Sequence, residues 1–393
     1  MRISQRVHKI QPSLTLAVSA KAAKLKAQGV DVIAFGVGEP DFDTPEHIKA
    51  GAIAALAKGV GKYTAVSGTL DLRNAAAAEL NAAHGTQHTA ENVIISVGAK
   101  HSLFNLFMAM LDDGDEVIVP SPCWVSYPEL VSMAGGTPVL LHTRPEDKFR
   151  VDEAELRKLV TPRTRAIVLN SPCNPTGAVY SKETLAGIGR VLADNPEMYA
   201  ITDDIYRRLV YGVEWSSVAR VCPEVADRVI LIDGVSKSYA MTGWRIGFCA
   251  GPKDLIKAMD TLQGQSTTNP AAIAQAAALA AITGPLDSIV KMHEEFDRRR
   301  RTMVERLRAI PNVKLVEPEG AFYCFPDFSA YCTGAIKDDV ALAEFLLDKG
   351  RVAVVPGTGF YAPGFLRLSY ATSMKLVEEG TARIAEALAG LRQ

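Results

Sequence analysis

Residues 229–250 read VILIDGVSKSYAMTGWRIGFCA, two short apolar runs that enclose a polar turn. Runs of this length, rich in apolar and β-branched residues and bounded by glycine, are typical of buried strands. Lys237 lies in the turn, where a lysine has to extend into solvent, pair with an anion or take part in chemistry. A lone lysine is usually a surface residue, but these apolar flanks favour partial desolvation, which lowers the pKa of an amine and makes it a usable nucleophile.

Similar strand-like runs recur along the chain, with helical patterns between them. They include NVIISVG, DEVIVPSP, TPVLLHT, RAIVLNSP and AITDD. One helical pattern, TPEHIKAGAIAALAKG, is predicted to begin with Thr44 as its N-cap and Pro45 in its first turn. Strands that alternate with helices predict an α/β fold, with a mainly parallel sheet covered by helices on both faces.

The length of the chain, 393 residues, suits two domains of roughly 100–200 residues each. The pattern changes near residue 285, where one long amphipathic segment is followed by short strands mixed with helix. We therefore predict a large domain over 46–285 and a smaller α+β domain over 286–393. Residues 1–45 contain no complete βαβ unit and are predicted to pack with the small domain.

The composition excludes several classes of function. A net charge of −1 argues against nucleic acid or an anionic membrane as partner. The run RRRR at 298–301 is predicted to be a solvated helix face paired with Glu294 and Glu295. The six cysteines form no CxxC motif and no zinc-type cluster, so we expect no metal and a reducing compartment. The chain start lacks the apolar core of a signal peptide, and no stretch suits a membrane span, so we expect a cytoplasmic protein.

Polar clusters follow several predicted strands, and ligands bind at the carboxyl ends of strands in open α/β sheets. SVGAKHS (96–102) turns through a glycine into a helix start, where backbone N–H groups suit a phosphate, although an ordinary strand–helix turn has the same pattern. NSPCNPTG (170–177) is a rigid turn in which Asn174 can face a ligand or bond its own loop. ITDDIY ends a strand with Asp203 and Asp204, which face opposite ways, and the sequence does not choose between them.

These clusters combine with Lys237 and with Arg245, which follows the lysine by eight residues. Together they provide a phosphate cradle, an arginine for a dianion, a buried carboxylate, an amide donor and a nucleophilic lysine. That set of groups matches pyridoxal 5′-phosphate, an aldehyde cofactor with a phosphate, a phenolic oxygen and a ring nitrogen.

On these motifs the chain resembles the class I/II aminotransferases of fold type I, and most closely the bacterial aspartate aminotransferases of the gamma subgroup. The resemblance runs from end to end through GEPDFDTPEHI, GKYTAVSG, SVGAKHSLFNLF, SPCWVSYPE, NSPCNPTGAVY, DDIY, SKSYAMTGWRIGF, GAFYCFPDF and FLRLSYATS. It implies a pyridoxal-phosphate enzyme that moves an amino group between an L-amino acid and a 2-oxo acid by a ping-pong mechanism, with Lys237 as the Schiff-base lysine and proton carrier.

The resemblance also implies a role for each further site residue. Trp124 stacks on the cofactor ring, Asp203 faces the ring nitrogen, and Arg245 holds the phosphate. The remaining cofactor contacts are Ala99 and Lys100 at the helix start, Asn174 and Tyr206 at the phenolic oxygen, Ser236, and Tyr63 from the other subunit of a homodimer with shared active sites. The substrate contacts are Gly38 and Arg367 at the α-carboxylate, Trp124 and Asn174, and Lys100, Ser13 and Thr15 at a second carboxylate.

Three positions depart from the pattern of these relatives. Gly234 stands where many have a serine that touches the phosphate, which leaves Ser236 as the nearest hydroxyl. His101 stands where glutamine is common. Gln11 stands where some relatives have a lysine linked to bulkier dicarboxylates such as prephenate, which weakens the expectation of activity on prephenate.

The expected substrates are aspartate and glutamate, with aromatic amino acids as secondary substrates. One alternative is another enzyme on the same fold, either an aminotransferase for aromatic or neutral amino acids or a C–S lyase. A different class of alternative is a non-catalytic regulator that has borrowed the fold. Such a protein needs a DNA-binding module, and no basic helix-turn-helix pattern precedes residue 38.

Overall fold

A computed structural model of the chain describes residues 1–8, 10 and 14–392. Its helices are α1 Gln5–His8, α2 Leu14–Ala27, α3 Glu46–Ala57, α4 Leu70–His84, α5 Ala99–Met110, α6 Ser126–Met133, α7 Glu153–Leu159, α8 Lys182–Asp194, α9 Val218–Val221, α10 Lys253–Ser266, α11 Ala272–Thr283, α12 Asp287–Arg308, α13 Asp339–Lys349 and α14 Met374–Ala389. Its strands are β1 Ile33–Ala34, β2 Val93–Ser96, β3 Glu116–Ser121, β4 Thr137–His142, β5 Thr164–Asn170, β6 Tyr199–Asp203, β7 Val229–Gly234, β8 Gly247–Ala250, β9 Tyr323–Cys324, β10 Val352–Ala353, β11 Val355–Pro356 and β12 Leu366–Ser369.

The central sheet has seven strands within the described residues, in the order β2-β8-β7-β6-β5-β3-β4. The pairs from β4 to β7 are all parallel. β8 is antiparallel to both of its neighbours, because only the short turn at 235–246 joins it to β7. The prediction of a mainly parallel sheet in an α/β fold is therefore confirmed.

Both faces of the sheet are covered by helices, which explains why its strands are continuous apolar runs. Val229 and Leu231 of β7 pack into a core that includes α4, α8 and α11. Ile230 and Ile232 of the same strand pack into a second core that includes α5, α6 and α10. Side chains alternate between the faces of a strand, so a strand covered on both sides has to be apolar at every position.

The C-terminal part of the chain forms a separate hydrophobic cluster around α12, β9, β12 and α14. Two small sheets belong to it, β11-β12-β9 and the parallel pair β1-β10. In the second of these, Ile33 pairs with Val352 across more than three hundred residues of chain, and Phe35 is buried in the same cluster. The N-terminal strand thus pairs with the C-terminal part, while the domain limits at 45 and 285 stay predictions.

The prediction that Thr44 caps α3 is wrong. The helix begins at Glu46 after Pro45, and no side chain bonds to its first turn. The Thr44 hydroxyl instead donates to the Ala240 carbonyl oxygen at 2.8 Å and accepts from the Trp244 ring nitrogen at 3.0 Å. The Thr44 hydroxyl, which could have capped the helix, therefore bonds to the loop after β7 instead.

The four arginines at 298–301 are paired, but Arg298 pairs with Glu295 rather than with Glu294, and the four do not form one solvated face. Arg298 and Arg301 are exposed and pair with Glu295 and Asp297. Arg299 and Arg300 are buried, with relative exposures of 6% and 8%. Four consecutive residues on a helix point in four directions, so two of them face the interior.

Arg299 joins α12 to the segment before α3. It pairs with Asp41 at 2.7 Å and with Glu295 at 2.8 Å, and its guanidinium lies over the rings of Phe42 and Phe296.

Among the described residues, no single helix is long and apolar enough to cross a membrane. α11 and α12 reach that length and apolar character only when they are taken together, and the chain bends by 80° between them.

Arg299→Ala is expected to lower the free energy of unfolding by about 2–4 kcal/mol, because it removes a buried cation that packs on two aromatic rings and leaves Asp41 without its partner. Arg298→Ala on the same helix is the control, and removing this exposed ion pair is expected to change stability by about 0.5 kcal/mol or less. Urea unfolding of the cofactor-free proteins measures both. Equal losses in the two variants would contradict the structural role given to Arg299.

Candidate active site

One cavity of about 470 Å³ lies at the carboxyl edge of the central sheet. Most of the residues predicted for the site line it: Gly38, Ala99, Lys100, Trp124, Asn174, Asp203, Tyr206, Ser236, Lys237, Arg245 and Arg367. They come from parts of the chain as far apart as residues 38 and 367. The sheet explains much of this convergence, because Ala99, Trp124, Asn174, Asp203 and Lys237 end or closely follow β2, β3, β5, β6 and β7, whose carboxyl ends share one edge.

Lys237 lies in the turn between β7 and β8, and its side chain is half-buried. Its amine donates to the Gly38 carbonyl oxygen and lies 6.0 Å from the centres of the Tyr206 and Phe322 rings. Burial lowers the pKa of this amine to about 8, against an opposing effect of Glu39. A much larger fraction of this amine is therefore uncharged near neutral pH than of an ordinary lysine, and the uncharged form is the one that attacks a carbonyl group.

Of the two neighbouring carboxylates at the end of β6, the structure brings Asp203 into the cavity. Asp203 accepts a hydrogen bond from the Tyr127 hydroxyl at 2.7 Å, and burial raises its pKa to about 6. Asp204 does not line the cavity and lies 3.6 Å from the imidazole of the buried His84. Burial lowers the pKa of His84 to about 3, so this pair contains a neutral imidazole.

The start of α5 forms a narrow cradle beside Arg245. Gly98 has a φ of +85°, and a Cβ atom there would lie 2.5 Å from a terminal nitrogen of Arg245. A Cβ on Gly247 would lie 2.1 Å from the Ala99 nitrogen. Two glycines thus let the arginine and the helix start approach each other closely. The first N–H groups of a helix have no partner in the helix, so an anion here would meet these donors and a guanidinium.

The replacement of serine by glycine at position 234 has a steric explanation. A Cβ on Gly234 would lie 2.9 Å from the Ile246 carbonyl oxygen and 3.0 Å from the Gly247 Cα. β7 and β8 approach too closely here for a side chain without a shift of the backbone. Ser236 is buried and lines the cavity, so its hydroxyl is present on the same loop.

Arg367 is a buried cation with no carboxylate partner among the described residues. It is 2% exposed, and it donates to the Asn174 side-chain oxygen and to the Gly36 carbonyl oxygen, each at 2.9 Å. Its Nε has no partner in the described structure, and its guanidinium lies 4.5 Å from the centre of the Tyr323 ring. Burial lowers its pKa, which is the signature of a charge that lacks an anion. A carboxylate ligand would supply one.

Aromatic groups surround the space between these charges. The Trp124 ring meets Tyr127 edge to face, with centroids 5.3 Å apart. The Tyr206 hydroxyl lies 2.9 Å from the Tyr323 hydroxyl. The amine of Lys100 lies 4.8 Å from the centre of the Trp124 ring, and its pKa is lowered by burial and by Arg245.

Of the remaining predicted contacts, only Tyr63 has a described side chain. Tyr63 is 90% exposed and lies outside the cavity, as a residue that serves another subunit would. Ser13 and Gln11 lie outside the described residues. Thr15 belongs to α2, but its side chain is not among those described.

Sequence reasoning missed several lining residues, above all Tyr127, Tyr323, Glu39 and Thr242. Tyr127 had a usable signal, because it follows Trp124 by only three residues, and the turn that leads into α6 brings the two rings together. Tyr323 and Glu39 had none, since each reaches the cavity through pairings between distant segments.

Residues 30–384 of the chain match the family described as "Aminotransferase class I and II". The chain is 46% identical to the aspartate/prephenate aminotransferase of Nitrosomonas europaea, over 99% of this chain and 100% of that protein. It is 44% identical to the aspartate aminotransferase of Bacillus subtilis, over 98% of each chain. The structure is similar to that of the aspartate aminotransferase of Thermus thermophilus with maleate, with a TM-score of 0.94 and 47% identity, over 98% of this chain and 100% of that one.

Asp203→Asn is expected to stabilise the cofactor-free protein at pH 7.5 by roughly 1–3 kcal/mol. The native carboxyl has a pKa raised to about 6, so it binds its proton more tightly than in the unfolded chain, and stability falls as the pH rises from about 4 to about 6. Asparagine removes the buried charge and still accepts from Tyr127. Urea unfolding at several pH values measures the difference, which should vanish near pH 4 because both side chains are then neutral. Equal stability at pH 7.5 would count against a costly buried charge.

Proposed function

Because this chain belongs to the class I and II aminotransferases and transfers amino groups between amino acids and 2-oxo acids, we propose that its preferred substrates are aspartate and glutamate with their oxo acids. The observation that carries the proposal is the presence of two cations in the same cavity as Lys237, the buried Arg367 for the α-carboxylate and Lys100 for a second carboxylate. The maleate named for the Thermus thermophilus structure is a dicarboxylate, which supports the same class of substrate.

The residues present fit pyridoxal 5′-phosphate, the proposed cofactor. The cradle of Gly98, Ala99 and Arg245 suits its phosphate, and Asp203 suits a protonated ring nitrogen. Lys237 suits the aldehyde carbon. Trp124 offers a ring face, and Asn174 and Tyr206 offer donors for the phenolic oxygen. When bound, the cofactor supplies an electron-accepting ring that stabilises the charge left when the substrate Cα loses its proton.

The protein's own residues orient the substrate and move the proton. Arg367 binds the α-carboxylate together with the Gly38 backbone, which places the Cα near Lys237, whose amine already contacts the Gly38 carbonyl oxygen. The free amine of Lys237 takes the proton from Cα and returns it as an acid. Its lowered pKa suits both steps, because a group with a pKa of about 8 gains and loses a proton near neutral pH.

A second carboxylate on the substrate needs its own cation, because an unpaired charge in a closed site is costly. Lys100 is the candidate, since it lines the cavity over Trp124 and its pKa is lowered by Arg245 as well as by burial. A lysine side chain is also flexible enough to move aside, which lets aromatic side chains enter as secondary substrates.

A homodimer is the proposed assembly. Exposed apolar side chains are concentrated in the stretch from α3 to α4, where Ile53, Leu56, Val60, Tyr63 and Leu70 are between 36% and 90% exposed. Several large apolar side chains exposed within one stretch of chain favour an interface there. Tyr63 then reaches the cofactor phosphate of the other subunit. The cytoplasmic location stays a prediction.

The test of the substrate proposal is a screen of amino donors with 2-oxoglutarate and oxaloacetate as acceptors, with prephenate included as a further acceptor. Aspartate and glutamate are expected to be the best donors, with phenylalanine and tyrosine weaker. No activity on aspartate would overturn the substrate class and leave amino-group transfer intact. Elimination of sulfur from cystathionine without transfer would favour the C–S lyase alternative.

Lys237→Ala is expected to fold, since the shortened side chain leaves little cavity, and to lose almost all transamination. It should also lose the absorption band of the lysine-bound cofactor. Borohydride reduction followed by peptide mapping locates the attachment site. A cofactor still reduced onto another lysine in this variant would show that Lys237 is not the attachment residue.

Lys100→Ala is expected to lower kcat/KM for aspartate through loss of a charged hydrogen bond, roughly 1.5–3 kcal/mol, and to affect phenylalanine much less. Steady-state kinetics with both donors at one fixed acceptor concentration measures the loss of kcat/KM for each donor. Equal losses for the two donors would mean that Lys100 serves the cofactor rather than the substrate side chain.

Tyr63→Phe is expected to weaken cofactor binding about tenfold, the value of one charged hydrogen bond, if Tyr63 donates to the phosphate of the other subunit. Sedimentation should show a dimer for this variant and for the parent protein. The nearby exposed Lys62→Ala is the control and should leave cofactor affinity unchanged. A fully active monomer would overturn the shared site.

A further inference from the structure

Glu39 is a carboxylate in the cavity to which the proposed reaction gives no role. The other charged side chains that line the cavity are assigned to cofactor or substrate: Lys100, Asp203, Lys237, Arg245 and Arg367. Glu39 belongs to the stretch 36–39, which contributes every one of its residues to the cavity wall. A carboxylate in the same cavity as the reacting lysine affects each protonation step of that lysine.

The position of Glu39 is set by the loop that carries Lys237. The Thr242 hydroxyl, five residues after the lysine, donates to the Glu39 carboxylate at 2.7 Å. The Thr242 carbonyl oxygen accepts from Arg245 at 2.9 Å. The Lys237 amine donates to the carbonyl oxygen of Gly38, the residue directly before the glutamate. The segment 36–39 thus contacts both Lys237 and the turn that contains Thr242 and Arg245.

The rest of the segment is attached on two sides. Thr44 bonds to Ala240 and Trp244 of the lysine loop. On the other side, Asp41 pairs with the buried Arg299 of α12 at 2.7 Å. Glu39 directly precedes these attached residues, and its carboxylate is held by the Thr242 hydroxyl although its side chain is solvent-accessible.

We propose that Glu39, held by Thr242, is a positioning residue that stabilises the ammonium form of the free Lys237 side chain and so lets it retain the proton taken from the substrate. The inference rests on the proposed role of Lys237 in proton transfer. It concerns the effect of one side chain of the protein on the titration of another, so it can be tested in the cofactor-free protein without measuring transamination.

The charges that face Lys237 support this role. Burial lowers the pKa of its amine, and Glu39 is the strongest influence in the opposite direction, ahead of Asp203. Arg367 and Arg245 lower the pKa as well, and the Tyr206 and Phe322 rings on the remaining sides are uncharged near neutral pH. Without the Glu39 charge the amine would lose its proton at a lower pH.

Two nearly isosteric variants separate charge from attachment. Glu39→Gln removes the charge and keeps an oxygen that accepts from Thr242. Thr242→Val removes the hydrogen bond and keeps the charge. Glu39→Asp restores the charge on a shorter side chain, and Glu46→Gln is the control, an exposed carboxylate in the first turn of α3 that does not line the cavity.

The measurement is trace reductive methylation of the full-length, cofactor-free protein with isotopic formaldehyde and cyanoborohydride, from about pH 6 to about pH 10, a range that spans the lysine titration. Only the uncharged amine reacts, and mass spectrometry of the peptide that contains Lys237 gives its midpoint. The midpoint is expected to fall by about half a unit to one unit in Glu39→Gln and by less in Thr242→Val. Glu39→Asp should recover most of the shift, and Glu46→Gln should match the parent protein.

An unchanged midpoint in Glu39→Gln would overturn the inference, and so would equal shifts in Glu39→Gln and Thr242→Val, since attachment alone would then explain them. In the loaded enzyme, the acidic limb of the pH profile for the single-turnover half-reaction should move down in Glu39→Gln in parallel. Failure of the proposed function gives a different result, because borohydride would then attach the cofactor to a peptide without Lys237 while the labelling midpoints remain measurable.

Discussion

Desolvated charge without a protein partner is the constraint on which the site depends. Arg367 is buried, and within the described residues it donates hydrogen bonds only to neutral oxygen atoms. Burial shifts the pKa values of Lys237 and Asp203 toward neutrality. Each of these groups costs stability in the cofactor-free protein. Arg367 gains an opposite charge when a carboxylate enters, and Asp203 gains one when a cationic ring nitrogen enters. The same imbalance that destabilises the empty cavity therefore selects its ligands.

The sheet makes this concentration of charge possible. β5, β6 and β7 are apolar along their length and covered on both faces, so polar groups can occur only where the strands end. Because the strands are parallel, those ends lie at one edge, and side chains from distant parts of the sequence meet there. Arg367, the proposed substrate arginine, comes from β12, outside this sheet, and donates to the Asn174 side-chain oxygen at 2.9 Å. That hydrogen bond joins the two halves of the site.

The segment from β1 to α3 connects the same two parts of the molecule. It pairs with β10, contributes Gly38 and Glu39 to the cavity, and bonds to α12 through Arg299 and to the lysine loop through Thr44. A displacement of this segment would alter the substrate-binding backbone and the surroundings of Lys237 together. In the proposed reaction, binding of the α-carboxylate at Arg367, which also donates to Gly36, is thereby linked to the position of the Lys237 amine.

The sequence alone determined the α/β architecture and most of the polar residues of the site, because strand ends, rigid Pro-Gly turns and the lysine between two apolar runs are local patterns, and the family motifs around them occur in order. It did not determine which of Asp203 and Asp204 faces the cavity, since strand neighbours differ only in the direction that the packed sheet imposes. Nor did it place Thr44, Arg299, Tyr323 or Glu39. A hydroxyl that suits a helix cap, an arginine in a basic run and a glutamate after a glycine acquire their partners from chain segments up to two hundred and more residues away, and those pairings exist only once the core has packed.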